Sequence, residues 1–367
     1  MKKKSLVEIT QTPNRPCIHP WFYLWVNAAG DATVCPQNRI RLGSLDKYSI
    51  EEIWNTKKIQ EIREDFLKGE YEKAGCEREC PYLRGEYKHA TKNIPVEELI
   101  FPDINLEKLK TDSESYTNVL RAIDDYNLDL AQISNKPVVF DCQNILTCNA
   151  DCIMCGQPHS SKLKHSEIIK EKIAQAGRYL CSLRWQGGEV FLDPDFISDI
   201  IDISKKGNAN LTQIVITNGS LLNDEKIDSI IHQAGKFQFI VSMDGASKEV
   251  VDKIRHKLKY EKIMNTLIIL ANKQKELNIS NLVLWNYTVM KSNIAEVAIA
   301  IKAADNLGIN INLAAIQGNF ADENFFEFNL LSKKEWLNYM VEWKSIIDSV
   351  KIKVSGLDGL KNRYKFQ

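Results

Sequence analysis

The sequence predicts an α/β protein, a partial (β/α)6 barrel preceded by a small α+β domain that carries cysteines. Three observations predict it. β-forming runs alternate with helical runs six times between residues 135 and 320. A tight cysteine triplet follows the first of those strands, and four further cysteines fall within the first 80 residues. Strand alternating with helix argues a parallel sheet joined by right-handed crossovers.

The strand-like runs, in order, are "KPVVFDCQNI", "YLCSLRWQGGEVFL", "LTQIVITNGSLL", "FQFIVSMDGAS", "NLVLWNYTVM" and "INLAAIQG". Between them stand helical stretches such as "HSEIIKEKIAQAGRYL", "DPDFISDIIDISKKG", "NDEKIDSIIHQAG", "YEKIMNTLIILANKQKELN" and "AEVAIAIKAADNLG". In such barrels the chemistry belongs to the loops after the strands' C-terminal ends. The loop after strand one holds the triplet, and Gly187, Gly188 and Glu189 close strand two, so both are expected at one mouth.

Composition narrows the class. The 367 residues are 44% apolar and 26% charged, ordinary for a globular chain with a real core, and long enough for two units. Lys plus Arg and Asp plus Glu both number 48, so no bulk field recruits nucleic acid or an acidic membrane. "MKKKSLVEITQTP" has basic residues but no apolar run behind them, unlike a signal peptide, and no window approaches a membrane span. The expectation is a cytoplasmic protein. In that compartment clustered cysteines are metal ligands or catalytic groups more often than disulfides. Of the nine cysteines, Cys17, Cys35, Cys76 and Cys80 form one group and Cys148, Cys152 and Cys155 a second, with Cys142 and Cys181 apart.

Three thiolates on one loop leave a fourth position open, the mark of a reactive centre, whereas structural zinc is closed by four ligands. An iron–sulfur cube fits three thiolates with one iron free. A zinc site borrowing a distant Cys, or the nearby His159, is the alternative.

The motif C-x3-C-x2-C after a first strand, with Met154 before the last cysteine, resembles the radical S-adenosylmethionine (SAM) superfamily. "WQGGEVFL" is similar to that superfamily's GGE strand, "ITNGSLL" to its third-strand segment and "VSMDGASKEVVDKIR" to its fourth. "NYTVMKSN" and "IQG" resemble the fifth and sixth strand ends. The resemblance implies a SAM-binding [4Fe–4S] cluster on Cys148, Cys152 and Cys155, and S-adenosyl-L-methionine as cofactor. It implies that Gly187, Gly188 and Glu189 receive the methionine ammonium. Ser242 and Arg255 become candidates for the carboxylate, Asn218 and Asp244 for polar contacts nearby, and Gln317, in "IQG", lies toward adenine. It also implies reductive cleavage to a 5′-deoxyadenosyl radical, hydrogen abstraction from a substrate carbon, and a flavodoxin- or ferredoxin-type electron donor.

The first cysteine group has its own grammar. "NAAGD" is a turn between "WFYLWV" and "ATVC", so a hairpin returns Cys35 toward Cys17. An amphipathic helix then precedes the Cys76–Cys80 pair, and its stripe of Ile50, Ile53, Trp54, Ile62 and Phe66 reads as core packing. Four cysteines close a tetrahedral site that suits zinc as well as a cluster. C-x12-G-x4-C, the "PW" and "SLDKYSIEEIWN" resemble the SPASM domain of radical SAM enzymes, and with four matching cysteines its shorter twitch relative. That resemblance implies a second, auxiliary [4Fe–4S] cluster on Cys17, Cys35, Cys76 and Cys80. Here the module precedes the barrel, whereas in most relatives it follows.

The expected organisation is a SPASM/twitch-like auxiliary cluster domain at 1–98, a helical connector at 99–134, a radical SAM partial barrel at 135–320 and a C-terminal helical extension at 321–367. The expected function is oxidation or cross-linking of a peptide or a small, sugar-like substrate. One alternative is a redox-neutral epimerase in which Cys142, on strand one, returns a hydrogen atom; a small buried core residue is the plainer role for it. Another is a zinc-binding scaffold on a non-catalytic barrel. Cys181 and the histidines His232 and His256, both expected in helices, read as packing or surface residues. Substrate identity, radical outcome, the placement of the N-terminal cluster and oligomeric state do not follow from the sequence.

Overall fold

The computed structural model describes residues 8–9, 16–78, 80–84, 94–95, 109–111 and 113–364. The expected boundary at 98/99 lies outside the described residues.

All six expected barrel strands form. They are β4 (Val139–Ile145), β5 (Ser182–Gly187), β6 (Thr212–Thr217), β7 (Lys236–Ser242), β8 (Val283–Val289) and β9 (Asn310–Ala315), each parallel to the next. Helices α5 (Glu167–Ala176), α6 (Phe196–Lys206), α7 (Asp224–Gln233), α8 (Lys248–Ile254), α9 (Tyr260–Glu276) and α10 (Val297–Leu307) occupy the crossovers. Side-chain caps start several of them. Ser166 accepts from Ile169 N–H for α5, and Asn223 accepts from Lys226 N–H for α7.

The sheet does not stop at β4. Strand β1 (Tyr23–Val26), from the N-terminal cysteine segment, pairs in parallel with β4, setting Trp25 beside Asp141 and Val26 beside Cys142. β2 (Asp31–Thr33) and β3 (Gly43–Ser44) continue antiparallel from β1. At the other edge, β10 (Val354–Ser355) adds in parallel to β9. The result is one ten-stranded sheet in the order β10-β9-β8-β7-β6-β5-β4-β1-β2-β3. The predicted hairpin is present, with Gly30 at φ +81°, a left-handed turn position that favours glycine. Its first arm is shorter than expected: Pro20 sits in the first turn of a short helix, α1 (His19–Phe22), so the strand begins only at Tyr23. Helices α2 (Ile50–Trp54) and α3 (Lys57–Leu67) follow, and their apolar stripe is buried as core. Helix α4 (Glu114–Asn127) fills the connector, while α11 (Lys333–Ile347) and α12 (Leu357–Arg363) follow the barrel.

Side contacts lock the N-terminal segment onto the barrel. His165 Nε2 meets the carbonyl of Asn27 at 3.0 Å, Ser166 donates to Asp46 at 2.7 Å, and Lys172 donates to Tyr48 O at 2.9 Å.

Strand alternation fixes the two faces. On one, Trp185 donates to Gln213, whose amide donates to Ile200 O in α6, so this face meets the helix layer. On the other, Gln186 donates to Asp141, and Arg184 lines an interior cavity. Among the described residues no helix is long and apolar enough to cross a membrane.

Candidate functional site

The C-terminal ends of β4 to β8 build one polar site. Gly187 and Gly188 let the end of β5 lie against the start of the cysteine loop. A Cβ on Gly188 would stand 2.1 Å from Thr147 O, and one on Gly187 would stand 2.2 Å from Ile145 O. Any larger residue there would push the loop off the strand.

Glu189 is 0% exposed, and its carboxylate is taken up by the chain itself. It accepts from Thr217 Oγ1 (2.8 Å), Asn218 N (2.8 Å) and Phe191 N (3.3 Å). Burial pushes this carboxyl up, and the three donors hold it down. An ionised carboxylate accepts about four hydrogen bonds, so these three donors can coexist with the ligand ammonium contact that the GGE resemblance implies. Glu189 also ties the end of β5 to the end of β6. Asn218 extends the tie by donating to Asn149 (2.9 Å) inside the cysteine loop.

The loop's far side is clamped by a two-residue antiparallel ladder, Arg255 opposite Cys152 and His256 opposite Asp151. His256 thus leaves α8 for an extended segment, a correction to its expected helical context, because the chain after α8 pairs with the cysteine loop just there. Arg255 is 7% exposed and its guanidinium stands 2.6 Å from Asp244 Oδ2. Asp244 Oδ1 accepts from Thr288 N (2.7 Å), which binds β8 into the same group. Ser242 is partly exposed on the concave face, in register with Asn286. Gln317, after β9, is exposed and accepts from Arg363 of α12 (2.8 Å). Met154 packs against the core from within the loop.

Cys148, Cys152 and Cys155 are partly buried together, each within electrostatic reach of the others. Burial pushes the Cys152 thiol up to about 11, and neighbouring Arg255 pulls it back. Arg255 Nε is buried and donates to no hydrogen-bond partner. An orphaned cationic donor beside three thiols fits an anionic group at this spot, thiolate-bound cluster or carboxylate.

The second cysteine group is also assembled. The charges of Cys76, Cys35 and Cys80 all reach Cys17, whose thiol burial pushes well above its usual range. Burial pushes Cys35 and Cys76 up to about 12. The Cys35 and Cys76 segments are joined by Asn38 Nδ2 donating to Ala74 O (2.9 Å) and Arg39 N to Gly75 O (3.0 Å). Four thiols with shared burial become thiolates when a metal supplies the compensating charge. A mononuclear zinc site draws its ligands onto a single ion. A [4Fe–4S] cube spreads its thiolates over separate irons, so both sets fit a cluster in donor chemistry.

Cys142 is placed where the interior-donor role cannot operate. It shares the register and face of Trp185, between sheet and helices, and is 0% exposed. The alternation that turns Asp141 inward turns Cys142 outward. Cys181 is equally buried, at the start of β5. Two residues that sequence reasoning passed over are Asp141 and Arg184, which face the interior side by side. Their parity within the strand-like runs was the available signal.

Comparison with known proteins defines the class. Residues 145–313 match the Radical SAM superfamily, and residues 17–81 match SPASM, an iron–sulfur cluster-binding domain. The chain carries a radical SAM domain with a SPASM domain at its N-terminal side, and with them a SAM-binding [4Fe–4S] cluster, an auxiliary iron–sulfur site and SAM as cofactor. An AdoMet-dependent heme synthase of Methanosarcina barkeri is 26% identical over 185 residues, 48% of this chain and 49% of that protein. The chain spans about half the length of the curated relative it matches. Among solved structures, Streptococcus suis SuiB aligns with a TM-score of 0.50 and 11% identity, covering 76% of this chain and 64% of that one. Native anSMEcpe with bound AdoMet aligns with a TM-score of 0.46 and 14% identity, covering 59% and 62%. The likeness to SuiB is one of fold.

Proposed function

We propose that the chain is a radical SAM enzyme that oxidises or cross-links a substrate held inside the barrel, with the auxiliary cluster taking up the electron. Cys148, Cys152 and Cys155 would hold the cluster, which together with SAM would supply the one-electron chemistry that removes hydrogen from unactivated carbon. The chain's own residues do the rest. Glu189 and Asn218 fix the loop against β5 and β6, Arg255 offers a buried cation beside the triad, and Ser242 presents a hydroxyl at the interior mouth. Keeping water out is the work of the helix layer and the barrel walls.

One observation carries the electron-acceptor reading: β1 runs in parallel register with β4. The pairing makes the four-cysteine segment part of the barrel's own sheet and puts Tyr23 on its interior face. Cys17, Asp141 and Arg184 all lie within electrostatic reach of the Tyr23 hydroxyl, which brings one auxiliary ligand toward the interior face of the sheet. A peptide or a small polar molecule would be the substrate, and a flavodoxin- or ferredoxin-type protein the donor. The epimerase reading loses its named hydrogen donor, since Cys142 faces the helices.

The test is Cys76→Ala with Cys80→Ala. The variant should still cleave SAM, because the triad is intact, yet fail to complete oxidation of substrate. Full product from this variant, or solvent deuterium at an inverted carbon, would reject the oxidative reading.

A further inference from the structure

The concave face of the sheet lines a partly open cavity of about 290 Å³ beneath the candidate SAM site. Gln238 and Ile240 line it, and Ser242 follows Ile240 on the same face, two residues or roughly 7 Å nearer the mouth. Barrel interiors are commonly apolar layers of branched side chains. This one is not: of eleven lining residues eight are polar, and none is acidic.

Two of the eight are cations. Arg184 projects from β5 on one side, and Lys353, just ahead of β10, stands at the exposed rim on the other. Between them the wall is a run of amides. Asn312 Nδ2 donates to Asn286 Oδ1 at 2.9 Å, Ser355 donates to Asn312 Oδ1 at 2.9 Å, and Asn310 accepts from Lys353 N at 3.0 Å. These bonds fix the amides in place, so the wall is set before a ligand arrives. Asp141 stands beside Arg184 but outside the lining, and counting it the interior keeps one net positive charge. The volume lies at the lower end for small-molecule sites, room for one side chain or one small metabolite.

We infer that the substrate, in the radical SAM reading proposed above, carries an anionic oxygen group, carboxylate or phosphate, seated against Arg184, with Lys353 at the rim across the cavity adding to the positive field. Its reacting carbon then points up toward Ser242. A guanidinium suits such a group because its planar fork pairs with two oxygens at once. The amide wall holds the neutral polar remainder by hydrogen bonds, which discriminate strongly against an analogue that lacks them.

The experiment uses the cluster-loaded protein with SAM and no reductant, so that binding is read apart from turnover. A defined panel of small carboxylic acids, sugar phosphates, dipeptides with acidic side chains, and the amide, ester and dephosphorylated isostere of each is screened by equilibrium dialysis. At least one anionic member should bind, with its neutral isostere at least tenfold weaker. Whether the esters or the dephosphorylated members lose binding tells carboxylate from phosphate. Arg184→Gln should weaken that member at least tenfold, and Arg184→Lys should recover part of the loss. Asn312→Leu, which keeps both cations, should weaken acid and isostere alike. All three variants must bind SAM as the wild type does. Equal binding of neutral isosteres, indifference to Arg184→Gln, or no anionic member bound overturns the inference. Failure of the radical SAM reading would look different: the reduced wild type would release no 5′-deoxyadenosine, whatever it binds.

Discussion

Arg255 and Cys152 face each other across a two-residue antiparallel ladder, so the cation nearest the cysteine triad is fixed by backbone pairing as well as by its carboxylate, Asp244. Removing one member of a buried pair leaves the other charge uncompensated, at about 3–5 kcal/mol. Arg255→Met should therefore lower the urea midpoint sharply and weaken SAM binding, whereas Arg255→Lys should spare more stability than affinity. Unchanged SAM binding in Arg255→Met would remove Arg255 from the site.

Glu189 offers a sharper distinction. Its three internal donors make it a tie between β5 and β6, so Glu189→Ala should destabilise the protein itself, by about 3 kcal/mol on the scale of buried donors left unpaired. Thermal unfolding without SAM reads this directly. A variant of wild-type stability that has lost only SAM affinity would give Glu189 ligand contact as its role and contradict the tie.

Metal content tests the two cysteine sets. Anaerobically reconstituted protein should hold about eight iron and eight sulfide per chain, two cubes' worth. Replacing Cys148, Cys152 and Cys155 with Ala should halve that, and so should replacing Cys17, Cys35, Cys76 and Cys80. Stoichiometric zinc with about four iron would assign the N-terminal set to zinc.

Asp141 gives a pH signature. Burial pushes its carboxyl up to about 6, so the folded state holds this proton more tightly than the unfolded chain does. Stability from this group is greatest below the ordinary carboxylate range, falls as pH rises through about 6, and is level above. The loss is about 3 kcal/mol at 1.4 kcal/mol per tenfold change in proton affinity. His165, held down to about 4 by burial, slopes the other way, losing stability as pH falls from its ordinary range toward 4. The difference between Asp141→Asn and wild type isolates the carboxyl: the variant's advantage should grow from pH 4 to pH 7. A difference independent of pH would contradict the burial of a titrating Asp141.

Much of this architecture was legible in the sequence because its signals are local. Each of the six strands carries a β-forming run, and C-x3-C-x2-C falls where the first one ends. The pairing of β1 with β4 was not legible. "WFYLWV" reads as one arm of a hairpin, and nothing within it says that its other edge accepts a strand more than a hundred residues away. Parallel pairing leaves no turn sequence to read. The same holds for the extended segment at Arg255–His256, where tertiary pairing with Asp151–Cys152 ends α8. Cys142 reads in the sequence as a small buried core residue, and it is buried between sheet and helices. The face it takes follows from its parity against Asp141 and Gln143 in the same strand.

SAM cleavage tests the central claim most directly. Reconstituted protein reduced with dithionite under anaerobic conditions is given SAM, and 5′-deoxyadenosine and methionine are measured against time. The account predicts slow release of both without substrate, abolished when Cys148, Cys152 and Cys155 are changed to Ala and retained when Cys76 and Cys80 are. A fully loaded, reduced sample that binds SAM and leaves it intact would contradict it.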